Sequence, residues 1–264
     1  MGEWVDSNGV RLAVEVIGEG DPVTVVAHGI TQSRYELGLL APFVPGTKVL
    51  FDFRGHGESE SPPAGGYAMD DFAADVDNVA RAYGATRVIG ASLGGGATLR
   101  LLRSDPDRFE RLVILLPARL ERDVASRGVR RRLLRMADLL EQHPLEEAAR
   151  LIVDAEEADG AFLGFNGSRR SRIDAIMRMN GEGIPHAIRQ ALDDPPLTDA
   201  EPIRRVTAPT LVVGQEGDPV HSAAVARELA EALPNGELLM YPDPATMIQE
   251  IPALVMRVAQ FLVG

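Results

Sequence analysis

One serine carries the clearest chemical signal in the chain. Ser92 sits at the centre of Gly90-Ala91-Ser92-Leu93-Gly94, a G-x-S-x-G pentapeptide that Gly95 and Gly96 extend. An apolar run, Thr86-Arg87-Val88-Ile89, leads into it, and a helical pattern follows to about Ser104. This reads as a sharp turn from strand to helix, in which the flanking glycines leave space that a side chain would take from neighbouring backbone. Such a turn displays the hydroxyl above a sheet. It also aims the Leu93 amide, at a helix N-terminus, toward negative charge developing on a carbonyl oxygen. A phosphate loop fits poorly, because neither a Walker Lys-Ser/Thr nor a G-x-G-x-x-G spacing is present.

The elements that must position this serine alternate. Residues 10–17 alternate like a strand, and Val23–Ala27 is a short apolar run ending at His28-Gly29. Residues 48–51 form another, and residues 69–83 have helical spacing with acids early. Leu112–Leu116 is the next strand, so βαβ units and a parallel sheet are expected. From 119 to 205 the patterns are helical, with candidates at 127–142, 145–157, 168–179 and 185–192 and loop-like breaks at 160–167 and 193–196. Strand signals resume at 209–214, followed by a helix at 222–232, a strand at 237–241 and a closing helix at 252–263. The expected division is an α/β core over 1–118 and 206–264, interrupted by a helical insertion over 119–205.

With these motifs in order, the chain resembles the α/β-hydrolase superfamily along nearly its whole length. The matching pieces are His28-Gly29, Asp52-Phe53-Arg54-Gly55-His56-Gly57, Gly90-Ala91-Ser92-Leu93-Gly94-Gly95 and Gly214-Gln215-Glu216-Gly217-Asp218-Pro219-Val220. The resemblance implies an eight-stranded, mostly parallel sheet flanked by helices, with the insertion as a helical cap over the active site. It implies Ser92 as nucleophile, the amides of Ile30 and Leu93 as oxyanion hole, and Asp218 as triad acid, with a plain turn residue as the alternative for Asp218. His28 and His56 are expected to shape loops, and His221 to be a loop residue.

One expected feature is missing. The family's catalytic histidine stands four residues before a Glu, in His-x-x-x-Glu-x-Pro. Here that stretch reads Thr246-Met247-Ile248-Gln249-Glu250-Ile251-Pro252, with no histidine beyond His221. Threonine has no basic form near neutral pH, and losing one triad member costs roughly 10⁴–10⁶ in turnover. Four readings stay open: an enzyme whose base comes from elsewhere, with His186 of the cap as donor; a cyclase, lyase or isomerase using Asp218 with a raised pKa; a binding protein or pseudoenzyme that keeps the pocket; or a competent hydrolase in which Thr246 was introduced by engineering.

Composition bounds the partners. The chain has 264 residues, no cysteine and a formal charge of −12, which excludes disulfides, thiolate metal sites and a cysteine nucleophile and argues against nucleic acid. No apolar run approaches the roughly 20 residues needed to cross a bilayer. The first residues lack a basic and an apolar segment, so the expectation is a cytoplasmic protein without a secretory signal. No metal or cofactor motif is visible. The aliphatic, Met-bearing helices of the insertion suit a small apolar substrate. Arg130-Arg131-Arg132 and Arg169-Arg170-Ser171-Arg172 could dock a carrier-bound thioester, although a solvated helix face explains them more simply.

Overall fold

A computed structural model describes residues 2–117, 127–159 and 168–264. Its strands are β1 (Glu3–Ser7), β2 (Val10–Ile17), β3 (Val23–Ala27), β4 (Thr47–Phe51), β5 (Arg87–Ala91), β6 (Arg111–Leu115), β7 (Thr210–Gln215) and β8 (Gly236–Tyr241). Its helices are α1 (Arg34–Leu37), α2 (Met69–Ala82), α3 (Leu93–Ser104), α4 (Arg127–Gln142), α5 (Leu145–Ala158), α6 (Arg169–Met177), α7 (Gly183–Asp193), α8 (Ala223–Ala232), α9 (Pro244–Gln249) and α10 (Ile251–Val263). The loop expected at 160–167 and the stretch 119–126 lie outside the described residues.

The strands form one eight-stranded sheet in the order β1-β2-β4-β3-β5-β6-β7-β8. Strand β2 is antiparallel to both β1 and β4, and every pairing from β4–β3 to β7–β8 is parallel. The central strands read as continuous apolar runs because both faces are covered. Successive side chains leave opposite faces. Val25, Val88, Leu112 and Val212 join one core cluster, while their neighbours Val26, Ile89, Val113 and Val213 join a second. The two clusters sandwich the sheet between helices.

Helices α4–α7 lie between β6 and β7 and build a third cluster from Met136, Leu140, Ile152, Ile176, Ile184 and Ile188. The half-buried Ile30 packs against both this cluster and the main core. Register aligns the strand ends: Ala27 pairs with Gly90, Ala91 with Leu115, and Leu115 with Val213. The segments that follow β3, β5 and β7 therefore emerge together at the carboxyl edge of the sheet, the usual place for a ligand crevice in such sheets.

Candidate active site

Steric demand explains the turn that presents Ser92. The residue has φ 48 and ψ −107, a left-handed backbone that costs a non-glycine residue of order 1–3 kcal/mol. A Cβ on Gly94 would stand 2.2 Å from the Ala27 carbonyl oxygen, and one on Gly90 would stand 2.7 Å from that of Gly94. Both contacts are with backbone, so neither can yield. The turn is held by the Ser92 amide donating to the Leu115 carbonyl at 3.0 Å and the Gly94 amide donating to the His28 carbonyl at 3.0 Å. Leu93 opens α3, where helix geometry provides its amide with no acceptor.

The segment after β3 lies beside the serine. A Cβ on Gly29 would come within 3.5 Å of the Ser92 Cβ. His28 is fully buried, and its Nε2 accepts from the Phe53 amide at 3.1 Å. The ring proton therefore sits on Nδ1, which donates to the Gly29 carbonyl at 2.8 Å. That carbonyl also accepts from the Gln32 amide at 3.1 Å. Because a trans peptide points its C=O and N–H opposite ways, these bonds orient the Ile30 amide that shares the plane. Burial lowers the His28 pKa to about 4, so the ring is neutral near pH 7. His56 is equally buried and lies between two carbonyls, Nδ1 at 2.8 Å from Arg54 and Nε2 at 2.8 Å from Ile30. Both motif histidines are bound up in loop contacts.

His221 corrects the expectation that the serine lacks an imidazole. It does sit in the segment after β7, but its Nε2 lies 2.9 Å from the Ser92 Oγ and its Nδ1 lies 2.9 Å from the Asp218 Oδ2. An ionised carboxylate only accepts, so Nδ1 carries the proton and Nε2 offers its lone pair to the serine hydroxyl. The acid and the imidazole are three residues apart on one turn, with the fixed φ of Pro219 between them. Asp218 Oδ1 accepts the Val220 amide at 2.7 Å and the His221 amide at 3.1 Å, and Oδ2 also accepts the Gln215 Nε2 at 2.6 Å. One carboxylate thus folds the turn and orients the ring that the turn carries. Burial alone would raise the Asp218 pKa. The hydrogen bond and charge of His221, the Val220 amide and Gln215 outweigh it and hold the carboxyl well below the usual range. A raised pKa, which proton transfer by Asp218 itself would need, is the opposite of this.

Thr246 and His186 are occupied elsewhere. The Thr246 amide and hydroxyl both donate to Asp243, each at 2.8 Å, and Asp243 caps α9 with Pro244 in its first turn. Thr246, which stands where the resemblance places a catalytic histidine, belongs instead to a helix start, with its amide and hydroxyl both engaged there. His186 on α7 stacks on Tyr67 with ring centroids 5.9 Å apart. The sequence signal that could have found the imidazole was the Asp218-Pro219-Val220-His221 spacing itself. Among the described residues no cluster of three or more His, Asp or Glu could hold a metal ion, and no helix is long and apolar enough to cross a membrane.

A strained serine turn at the carboxyl edge of the sheet and a hydrogen-bonded Ser–His–Asp chain define a class. Residues 22–252 match the model of the alpha/beta hydrolase fold, and the chain belongs to that family. Among its relatives is the non-heme chloroperoxidase CPO-A1 of Kitasatospora aureofaciens, 28% identical over 260 residues, covering 93% of this chain and 92% of the relative. The fold is also that of the esterase EaEST from Exiguobacterium antarcticum (TM-score 0.79, 17% identity, 100% of both chains). It is shared by the enol-lactonase from Burkholderia xenovorans LB400 (TM-score 0.77, 20% identity, 99% of this chain and 100% of that one).

Proposed function

We propose that the chain is a serine hydrolase that cleaves small apolar esters or related acyl compounds such as lactones and thioesters. Ser92 is the nucleophile, His221 the general base, Asp218 the orienting acid, and the amides of Ile30 and Leu93 the oxyanion hole. The observation that carries this reading is the unbroken chain from Ser92 Oγ through His221 to Asp218, with both links at 2.9 Å. The non-hydrolytic and pseudoenzyme readings drew their force from a missing base, and His221 removes that reason. The base from His186 loses it too.

The chemistry follows from the geometry. His221 Nε2 takes the hydroxyl proton as Ser92 Oγ attacks the carbonyl carbon. The oxygen that becomes negative is met by the two amides, which are already oriented and need not reorganise. The tetrahedral species collapses, and the leaving oxygen departs with the proton from His221. Water then repeats the sequence on the acyl-enzyme, giving up a proton to His221, releasing the acid and restoring Ser92. Helices α4–α7 act as a cap that brings an aliphatic cluster to the acyl site through Ile30.

The test is p-nitrophenyl acetate hydrolysis together with labelling by a fluorophosphonate. Wild-type protein is labelled and hydrolyses the ester, and Ser92→Ala and His221→Ala abolish both. Labelling that survives Ser92→Ala, or hydrolysis that survives both changes, would sink the assignment.

A further inference from the structure

We propose that His56 is a positioning residue for the oxyanion hole, and that helix α7 of the insertion holds His56 in place. This rests on the reading of Ser92 and His221 given above. The cap is then more than a lid, because its docking completes the catalytic backbone.

Ile30 is clamped on both flanks. His28 and Gln32 fix the peptide before it through the Gly29 carbonyl, and the neutral His56 ring, with its single proton on Nε2, donates to the carbonyl after it at 2.8 Å. Fixing both peptides fixes the φ and ψ of the residue between them, and so the direction of its amide. The side chain of Ile30 is shared between the main core and the core of the insertion. His56 reaches Ile30 from the turn after β4, and α7 sits directly on that turn. A Cβ on Gly183 would stand 2.3 Å from the Gly55 Cα and 2.4 Å from its carbonyl oxygen. Asn180 ties the two together, donating from Nδ2 to the Ser59 carbonyl at 3.2 Å while its Oδ1 accepts the Gly183 amide at 3.0 Å. Tyr67 lies against Gly55, stacks on His186 and has its amide bound by Gln190 Oε1 at 3.1 Å. Contact therefore runs without a gap from α7 through Gly55 and His56 to Ile30 and the serine.

Two conservative changes separate the ring nitrogens. The amide of Gln can take the place of Nε2 and keep the hydrogen bond to Ile30, whereas that of Asn takes the place of Nδ1 and reaches only the Arg54 carbonyl. On p-nitrophenyl acetate, His56→Asn is expected to lower kcat by about tenfold or more with KM within about twofold, the signature of a lost transition-state contact. His56→Gln is expected to stay within about threefold of wild type. Gly183→Ala, which pushes α7 off Gly55, should reproduce the kcat loss, and combined with His56→Asn it should add little further. Fluorophosphonate labelling should slow in parallel. Equal losses in Asn and Gln variants, a Gly183→Ala effect confined to KM, or fully additive losses would overturn the proposal. If His56→Asn does not fold, Gly183→Ala and His56→Gln carry the decision. A wild-type protein that is neither active nor labelled overturns the site reading instead, and this inference with it.

Discussion

Replacing His221 by Ala separates the base seen in the structure from the position the resemblance implies most sharply. The change removes the group that bonds both Ser92 Oγ and Asp218 Oδ2. Losing the base of such a triad costs about 10⁴–10⁶ in kcat, or roughly 5–8 kcal/mol of barrier at about 1.36 kcal/mol per decade. Folding should survive. The His221 side chain is 18% exposed and contributes little core, and Asp218 keeps the amides of residues 220 and 221 and the Gln215 side chain. Losing one hydrogen bond to a charged group costs about 2 kcal/mol, visible as a lower denaturation midpoint but short of unfolding. Thr246→Ala is the matched control. It deletes one hydroxyl bond to Asp243 at the start of α9, costs up to about 1 kcal/mol and leaves kcat within about threefold of wild type. The assay is initial rate on p-nitrophenyl acetate, with circular dichroism and urea melts of each variant. Thr246→Ala as damaging as His221→Ala, or His221→Ala retaining more than about one part in a hundred of wild-type kcat, would refute the reasoning.

Asp218→Asn should lower kcat by about 10⁴, because an amide no longer fixes the proton on Nδ1, and pre-steady-state acylation would show it. Since folding depresses the Asp218 pKa, the stability it contributes is present above the unfolded carboxylate value near 4 and is lost as pH falls below it; urea midpoints at pH 3 and 6 should differ less in the Asn variant. His28 and His56 add a second acid sensitivity in a different window. Their folded pKa values of about 4 lie below the unfolded value near 6.5, so the unfolded chain binds more protons between the two, and stability should fall by up to about 3 kcal/mol per histidine from pH 6.5 to 4. Gly94→Ala should cost more than about 3 kcal/mol, since its Cβ would lie 2.2 Å from a backbone oxygen, and a variant that melts like wild type would contradict the turn's geometry. Gln215→Leu should slow turnover by about tenfold while sparing Ser92 labelling by excess fluorophosphonate, because Asp218 loses one donor but keeps its turn.

Much of the fold was legible because two periodicities announce it. Strand β2 covers the alternating stretch read at 10–17, and α4 covers the amphipathic stretch read at 127–142. Strand β1 carries a weak signal, since its Glu-Trp-Val-Asp-Ser buries only Val5 and Ser7. Ser92 was legible because a strained turn demands glycines at fixed offsets, and those offsets are local. The link between Ser92 and His221 spans 129 residues, and no local pattern encodes it. The segment that ends in Glu250 and Pro252 holds a helix start instead of an imidazole, and in it Asp243 and Thr246 satisfy each other.

The relation between acid and base is where this chain departs most from the pattern it resembles. When the two sit on different loops, each can shift without the other, and their alignment depends on long-range packing. Here Asp218 accepts the backbone of the residue whose ring it orients, so the Asp–His geometry is set within four residues. Only the approach to Ser92 is left to tertiary structure, and the pairing of β7 beside β6, itself beside β5, supplies it. On the proposed assignment the segment after β8 supplies no catalytic group. It follows that sequence changes around α9 should be tolerated by activity while changes between Gln215 and His221 should not, a contrast that a substitution scan of the two segments on ester hydrolysis would measure directly.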